Sequence, residues 1–174
     1  MNNDPLADVP FLTVSSLNPI PFSVFKFKSW EHFVRTGNEE GFYKICLING
    51  NSIVRYANKE IRTEGPHLFL RNTYTSYFWE SGSEKQDGYA CIISNDFVNE
   101  FDYLHIFQQS RLFGTNALPV FALTKLQGNF VANIFQKMIS EQGIHYIFKD
   151  ELMYAWISLI MHEALKIRTQ ALYL

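Results

Sequence analysis

Histidine is the side chain that most often binds metals or moves protons near neutral pH, and the chain has five: His32, His67, His105, His145 and His162. No two of them are two, three or four residues apart, so no strand or helix face offers an adjacent pair of imidazole ligands. The carboxylate pairs Glu39-Glu40 and Asp150-Glu151 are sequence neighbours. The first reads as a solvated loop, the second as the acidic first turn of a helix. Neither asks for acid–base catalysis. The chain lacks a glycine-rich phosphate loop and a G-x-S-x-G nucleophile turn. Cys46 and Cys91 fall inside apolar runs without metal-type spacing, and they read as small reduced hydrophobes. What is abundant is aromatic surface, sixteen Phe and nine Tyr in 174 residues, which can stack on or bury a ligand without reacting with it. The expectation is a recognition protein rather than an enzyme, with no cofactor and no metal.

Such residues need a scaffold, and the first two thirds of the chain read as short strands between turns. Phe42 to Ile48 (FYKICLI) is rich in strand formers, and Asn49-Gly50-Asn51 gives a turn before Ser52 to Ala57, which predicts a hairpin. Further strands are expected at Phe22 to Lys28, His67 to Arg71, Tyr74 to Trp79 and Tyr89 to Ser94. This spacing suggests a small antiparallel barrel or sandwich. Strand alternation then assigns faces. With Lys44 turned to solvent, Tyr43, Ile45 and Leu47 point inward; with Arg55 outside, Val54 and Tyr56 point inward. Tyr77 shares a face with Trp79, and Tyr89 with Cys91 and Ile93. Inward Tyr and Trp need partners for their polar tips, so they often line a hydrated or ligand-filled cavity. Tyr43, Ile45, Leu47, Tyr56, Tyr77, Trp79 and Tyr89 are the candidate ligand pocket. The alternative is that they cap the barrel ends with their polar atoms in water.

After Pro119 the period becomes helical. One helix is expected over Leu126 to Glu141, with Phe130, Ile134 and Met138 on its apolar stripe and Gln142-Gly143 as its stop. A second runs from about Asp150 to Ala171. Its polar stripe, Glu151, Ser158, His162 and Lys166, is narrow. An apolar arc this wide exceeds what one packing surface needs, so Leu152, Met153, Trp156, Ile157 and Ile160 are the candidate dimer interface. The alternative is a helix wholly buried in a monomer. These helices do not suit a DNA groove, because a reading helix presents polar and basic side chains to base edges.

Charge points the same way: a net −2 and a sequence pI near 6.2 supply no surplus to neutralise phosphates. The N-terminal MNNDPLADVPFL has no basic patch before a long apolar run, and no segment offers the ~20 apolar residues of a membrane span. A soluble, cytoplasmic location is expected.

Three segments, FYKICLINGNSIVRYANKEI, GPHLFLRNTYTSYFW and DGYACIISNDF, together with LPVFALT and the two helices after it, resemble the N-terminal cupin domain of AraC-type bacterial transcription regulators. The resemblance covers the chain from about Val24 onward, and the order and spacing of the motifs carry it. It implies an α+β fold, mainly β: a cupin-like antiparallel barrel (a double-stranded β-helix) followed by two helices. Residues 1–21 would be a flexible arm, 22–120 the barrel and 121–174 the dimerisation segment. It further implies a small-molecule effector, a homodimer, and DNA contact only through a C-terminal helix-turn-helix module that this chain does not contain. The chain stops where that module should begin, and it reads as part of a longer regulator rather than a free-standing sensor.

Two departures qualify the resemblance. Where many cupins place an H-x-H pair and a later His, this chain has Asn38, Glu40 and Ser76, which implies loss of metal binding. A family Pro-Gly turn is replaced by Asn72-Thr73, which implies a differently shaped pocket mouth. The competing readings are a stand-alone cupin enzyme and a ligand-free structural dimerisation module.

Overall fold

The computed structural model describes residues 21–28, 41–56, 58–72, 77–82, 86–101, 106–114 and 117–171. Among the described residues there are eight strands: β1 (Phe22–Phe27), β2 (Phe42–Asn49), β3 (Ser52–Tyr56), β4 (Lys59–Thr63), β5 (His67–Arg71), β6 (Phe78–Ser81), β7 (Asp87–Ser94) and β8 (Val120–Ala122). The helices are α1 (Asn95–Phe101), α2 (Ile106–Gln109), α3 (Lys125–Glu141) and α4 (Lys149–Ala171). All strand pairs are antiparallel, in one five-stranded sheet ordered β1-β7-β2-β5-β8 and one three-stranded sheet ordered β4-β3-β6. The class is α+β and mainly β. Among the described residues the two sheets stay separate, so the barrel is not closed.

The hairpin expected across Asn49-Gly50-Asn51 does not form. β2 pairs with β5 and β7, whereas β3 pairs with β4 and β6. The turn is real, with Gly50 at φ 114, but it is a corner that carries the chain from one sheet to the other. The true hairpin is β3–β4, turned at Asn58, whose φ of 62 is a left-handed value that Asn tolerates. β4 (KEIRT) escapes a hydrophobic reading because it is a charged edge strand, a common protection against stray pairing. The strand expected over Tyr74 to Trp79 begins at Phe78; residues 73–76 lie outside the described residues.

The two long helices cover one face of the five-stranded sheet. α3 starts at a capping box, in which Gln127 N donates to Thr124 Oγ1 and Thr124 N donates to Gln127 Oε1. It buries Val131, Ile134, Phe135 and Met138, each contributing roughly 1.5–3 kcal/mol. Phe130, expected on that stripe, is 45% exposed, because the buried stripe runs through Val131 and Phe135 instead. The helix is tied to the sheet edge by Gln142. Its Oε1 accepts from Val24 N at 3.0 Å and its Nε2 donates to Val24 O at 2.7 Å, as a neighbouring strand would. α1, which the sequence reading missed, is capped by Ser94, whose Oγ accepts from Phe97 N.

Candidate functional site

Register fixes which side chains share each face of the five-stranded sheet. On the helix-covered face the rows are Phe22-Ile93-Tyr43, Val24-Cys91-Ile45-Leu70 and Lys26-Tyr89-Leu47-Leu68-Phe121. These pack with Phe135, Met138, Met153, Ile157 and Ile160 into the larger core. On the opposite face the rows are Ser23-Ile92-Lys44-Arg71, Phe25-Ala90-Cys46-Phe69-Val120 and Phe27-Gly88-Ile48-His67-Ala122. Phe27, Cys46, Ile48 and Phe69 of that face pack with Val54 and Trp79 of the three-stranded sheet into a second core.

The inter-sheet core is built of stacked rings. His67 lies over Trp79 at 5.7 Å, Phe69 meets Trp79 edge-on at 5.2 Å and Tyr77 at 5.6 Å, and Tyr77 adjoins Tyr56 at 5.8 Å. His67 is held at both nitrogens. Nδ1 is 3.0 Å from Gly65 O, which can only accept, so Nδ1 carries the proton and Nε2 takes the hydroxyl of Thr63 at 3.3 Å. Burial pushes its pKa down to about 4, so the ring is neutral at physiological pH. At the same end of this core, buried Gln86 donates to Asn51 O and Ser52 Oγ, bracing the start of β3. Gly88 is required where β7 crosses β2, because a Cβ there would run into Leu47 O.

The other end of the inner face is cationic. Lys44 and Arg71 are directly opposed across the β2–β5 ladder. The lysine is only 4% exposed. Burial pushes the Cys46 thiol up to about 12, against the pull of Lys44 and then Arg71, which places both charges within electrostatic reach of that face. Contacts at Trp79 with His67 and Phe69, and at Tyr77 with Phe69, run toward Arg71, so Tyr77 and Tyr56 lie at the cationic end. Burial raises the Tyr56 hydroxyl pKa, keeping it a neutral donor.

Lys44 was expected in solvent and instead lies between the sheets. The inference failed because both faces of β2 are covered, so a lone lysine does not mark a wet side. The three-stranded sheet does have a wet face, where exposed Arg55 bonds Glu60 and Glu80, and there the expected inward Val54 and Tyr56 match the structure.

The candidate pocket residues therefore divide. Tyr56, Tyr77 and Trp79 come together between the sheets. Tyr43, Ile45, Leu47 and Tyr89 face the helices: Tyr43 sits against Phe107 and Phe113, while Tyr89 stacks on Phe135 and accepts from Gln136 Nε2 at 2.9 Å. Of the candidate interface, Met153, Ile157 and Ile160 are fully buried in the chain's own core. Leu152 and Trp156 are half-buried, and Leu159 is 42% exposed. Lys44, His67, Phe69 and Arg71 were not singled out from sequence. The available signal was Lys44 itself, a cation flanked at i+2 and i+4 by Cys46 and Ile48, with an apolar set on the other face as well.

Among the described residues no three His, Cys, Asp or Glu side chains group as metal ligands. Asn38, Glu40 and Ser76 lie outside the described residues. No described helix is long and apolar enough to cross a membrane.

No family model and no curated protein matches the chain. Among solved structures it is similar to the AraC-like transcriptional activator CuxR, with 11% identity and a TM-score of 0.44 over 83% of this chain and 48% of that one. It is also similar to ToxT from Vibrio cholerae, with 13% identity and a TM-score of 0.48 over 84% of this chain and 57% of that one. The chain thus spans about half the length of these structures.

Proposed function

We propose that the chain is the effector-sensing and dimerisation part of an AraC-type transcription regulator, acting in the cytoplasm and without catalysis of its own. One observation carries this reading. A single five-stranded sheet has an aromatic, cation-bearing face toward a second sheet and an apolar face under two helices. A small molecule seated between the sheets, against Tyr56, Tyr77 and Trp79, would bear on the strands beneath α3 and α4. Coupling requires only that it bind one arrangement of sheets and helices more tightly than another.

The homodimer would form on the outer side of α4, through Leu152 and Trp156 with the adjoining Leu159, since Met153, Ile157 and Ile160 are engaged within the chain. DNA would be reached through a helix-turn-helix module beyond this segment. The test is sedimentation of the wild type against Trp156→Glu, with circular dichroism to confirm folding. A folded monomer in the variant supports the dimer; a folded variant that sediments as the wild-type dimer rejects this interface. A ligand-free structural module is the second reading, favoured by the continuous ring contacts from His67 to Tyr56.

A further inference from the structure

Large apolar side chains grouped in water mark a surface that meets a partner. The turn joining α3 to α4 carries such a group. Ile144, Tyr146 and Phe148 are each about half exposed, Ile147 is 85% exposed, and the Tyr146 and Phe148 rings meet edge-on at 5.9 Å. The backbone beneath them is fixed. Ile144 N donates to Glu141 O, Lys149 N to Tyr146 O and Leu152 N to Phe148 O. Lys149 Nζ crosses the turn to donate to Gln142 O at 3.3 Å.

What lies beside this turn is set by Gln142, whose side chain bonds both Val24 N and Val24 O. β1 therefore runs past the base of the turn. Pro21 O accepts from Ser94 N, which fixes where the chain enters the sheet. That entry is about 10 Å along the strand from Val24, at roughly 3.3 Å per residue. Residues 1–20, outside the described residues, thus lead into the sheet close to the turn. α4 carries the chain the other way: its 23 residues extend about 34 Å from the turn.

Composition favours the same segment. Residues 1–20 hold Leu6, Val9, Phe11, Leu12, Leu17 and Ile20, with Asp4 and Asp8 as their only charged side chains. Residues 29–40, the other undescribed stretch that adjoins β1, carry Glu31, Arg35, Glu39 and Glu40, and charges are costly to desolvate against an apolar surface. We propose that residues 6–17 dock on the α3–α4 turn of their own chain, with Phe11 and Leu12 seated against Tyr146, Ile147 and Phe148. The extended chain between Phe11 and Pro21 reaches up to about 33 Å, more than this seat needs. Pro10 ahead of Phe11 limits the backbone freedom that docking removes. The contact buries apolar surface on both partners and ties the segment ahead of β1 to the helix pair. It stands apart from the seating of a ligand between the sheets.

The test follows isoleucine methyl resonances in the 174-residue chain, in a variant lacking residues 2–17 and in the double variant Phe11→Ser, Leu12→Ser. The Ile144 and Ile147 methyls are expected to shift in both variants. Those of Ile45 and Ile93, fully buried in the core, should stay in place and show that each variant folds. A synthetic peptide of residues 1–20, in excess, should move the truncated chain's Ile144 and Ile147 resonances back toward their wild-type positions. The same peptide with Phe11→Ser and Leu12→Ser should not. Ile144 and Ile147 resonances unmoved by truncation would overturn the proposal. A shift on truncation that the double variant fails to reproduce would overturn the Phe11–Leu12 seat. Resonances that follow protein concentration and ignore truncation would put a second copy on the turn instead. Restoration of the labelled truncated chain by an equal amount of unlabelled full chain would place the segment on its neighbour, which overturns docking within one chain.

Discussion

The two faces of the five-stranded sheet differ in what they bury. Toward the helices, β2, β5 and β7 present Ile45, Leu47, Leu68, Leu70, Cys91 and Ile93, with no charged group among them. Toward the second sheet, the same strands present Lys44, Arg71 and His67 among aromatic rings. A mostly apolar face gives stability, because close-packed side chains cannot yield independently. A face that buries a lysine and a neutral imidazole costs stability that the apolar face must offset. The difference teaches that the two faces of one strand can carry opposite energetic signs.

Substitutions on the helix-facing side should act on stability and leave recognition alone. Phe135→Ala empties a fully buried site against Tyr89, and urea unfolding should show a loss of about 3–5 kcal/mol. A much smaller loss would mean that this face is loosely packed.

The inner face should announce itself through pH. His67 has its folded pKa lowered to about 4 from 6.5. Above the unfolded value its contribution is complete. As pH falls below about 6.5 the unfolded chain takes up a proton that the folded chain refuses, so stability drains until about pH 4. The full span is on the order of 3 kcal/mol. His67→Asn should flatten that part of the stability–pH profile relative to the wild type. An identical slope in both would remove His67 from the account.

Smaller effects test how the two faces are joined. Gln142→Ala deletes both side-chain bonds to Val24 and should cost about 1–2 kcal/mol. Faster hydrogen exchange at the Val24 amide would localise the loss to the β1 edge. Thr124→Ala removes the α3 cap and should cost about 1 kcal/mol, visible as a lower urea midpoint.

How much of this was legible follows from how each element is covered. The two long helices were readable to within a residue at each end, since Gln142-Gly143 and Asp150-Glu151 are local signals, whereas the short α1 and α2 were missed. β3, which has one wet face, was equally readable, as Arg55 between Val54 and Tyr56 shows, while the charged edge strand β4 was missed. β2 was not. Both its faces are buried, so alternation could not say which apolar set met helices and which met the other sheet. The seven candidate pocket residues were consequently drawn from two surfaces, and the cations between the sheets were passed over. The Asn49-Gly50-Asn51 turn was visible, but whether it closes a hairpin or rounds a corner depends on distant strands. Only the pairing with β5 and β7 decides it.

The measurement that tests the central claim most directly is fluorine NMR of the chain labelled with fluorotryptophan, titrated with small organic molecules that raise its melting temperature. Trp79 lies between the sheets and Trp156 on the helix, so each face has its own reporter. The account predicts that the Trp79 resonance moves with the occupancy of the bound molecule. A Trp79 resonance that stays fixed while calorimetry shows the site filling would place recognition elsewhere and contradict it.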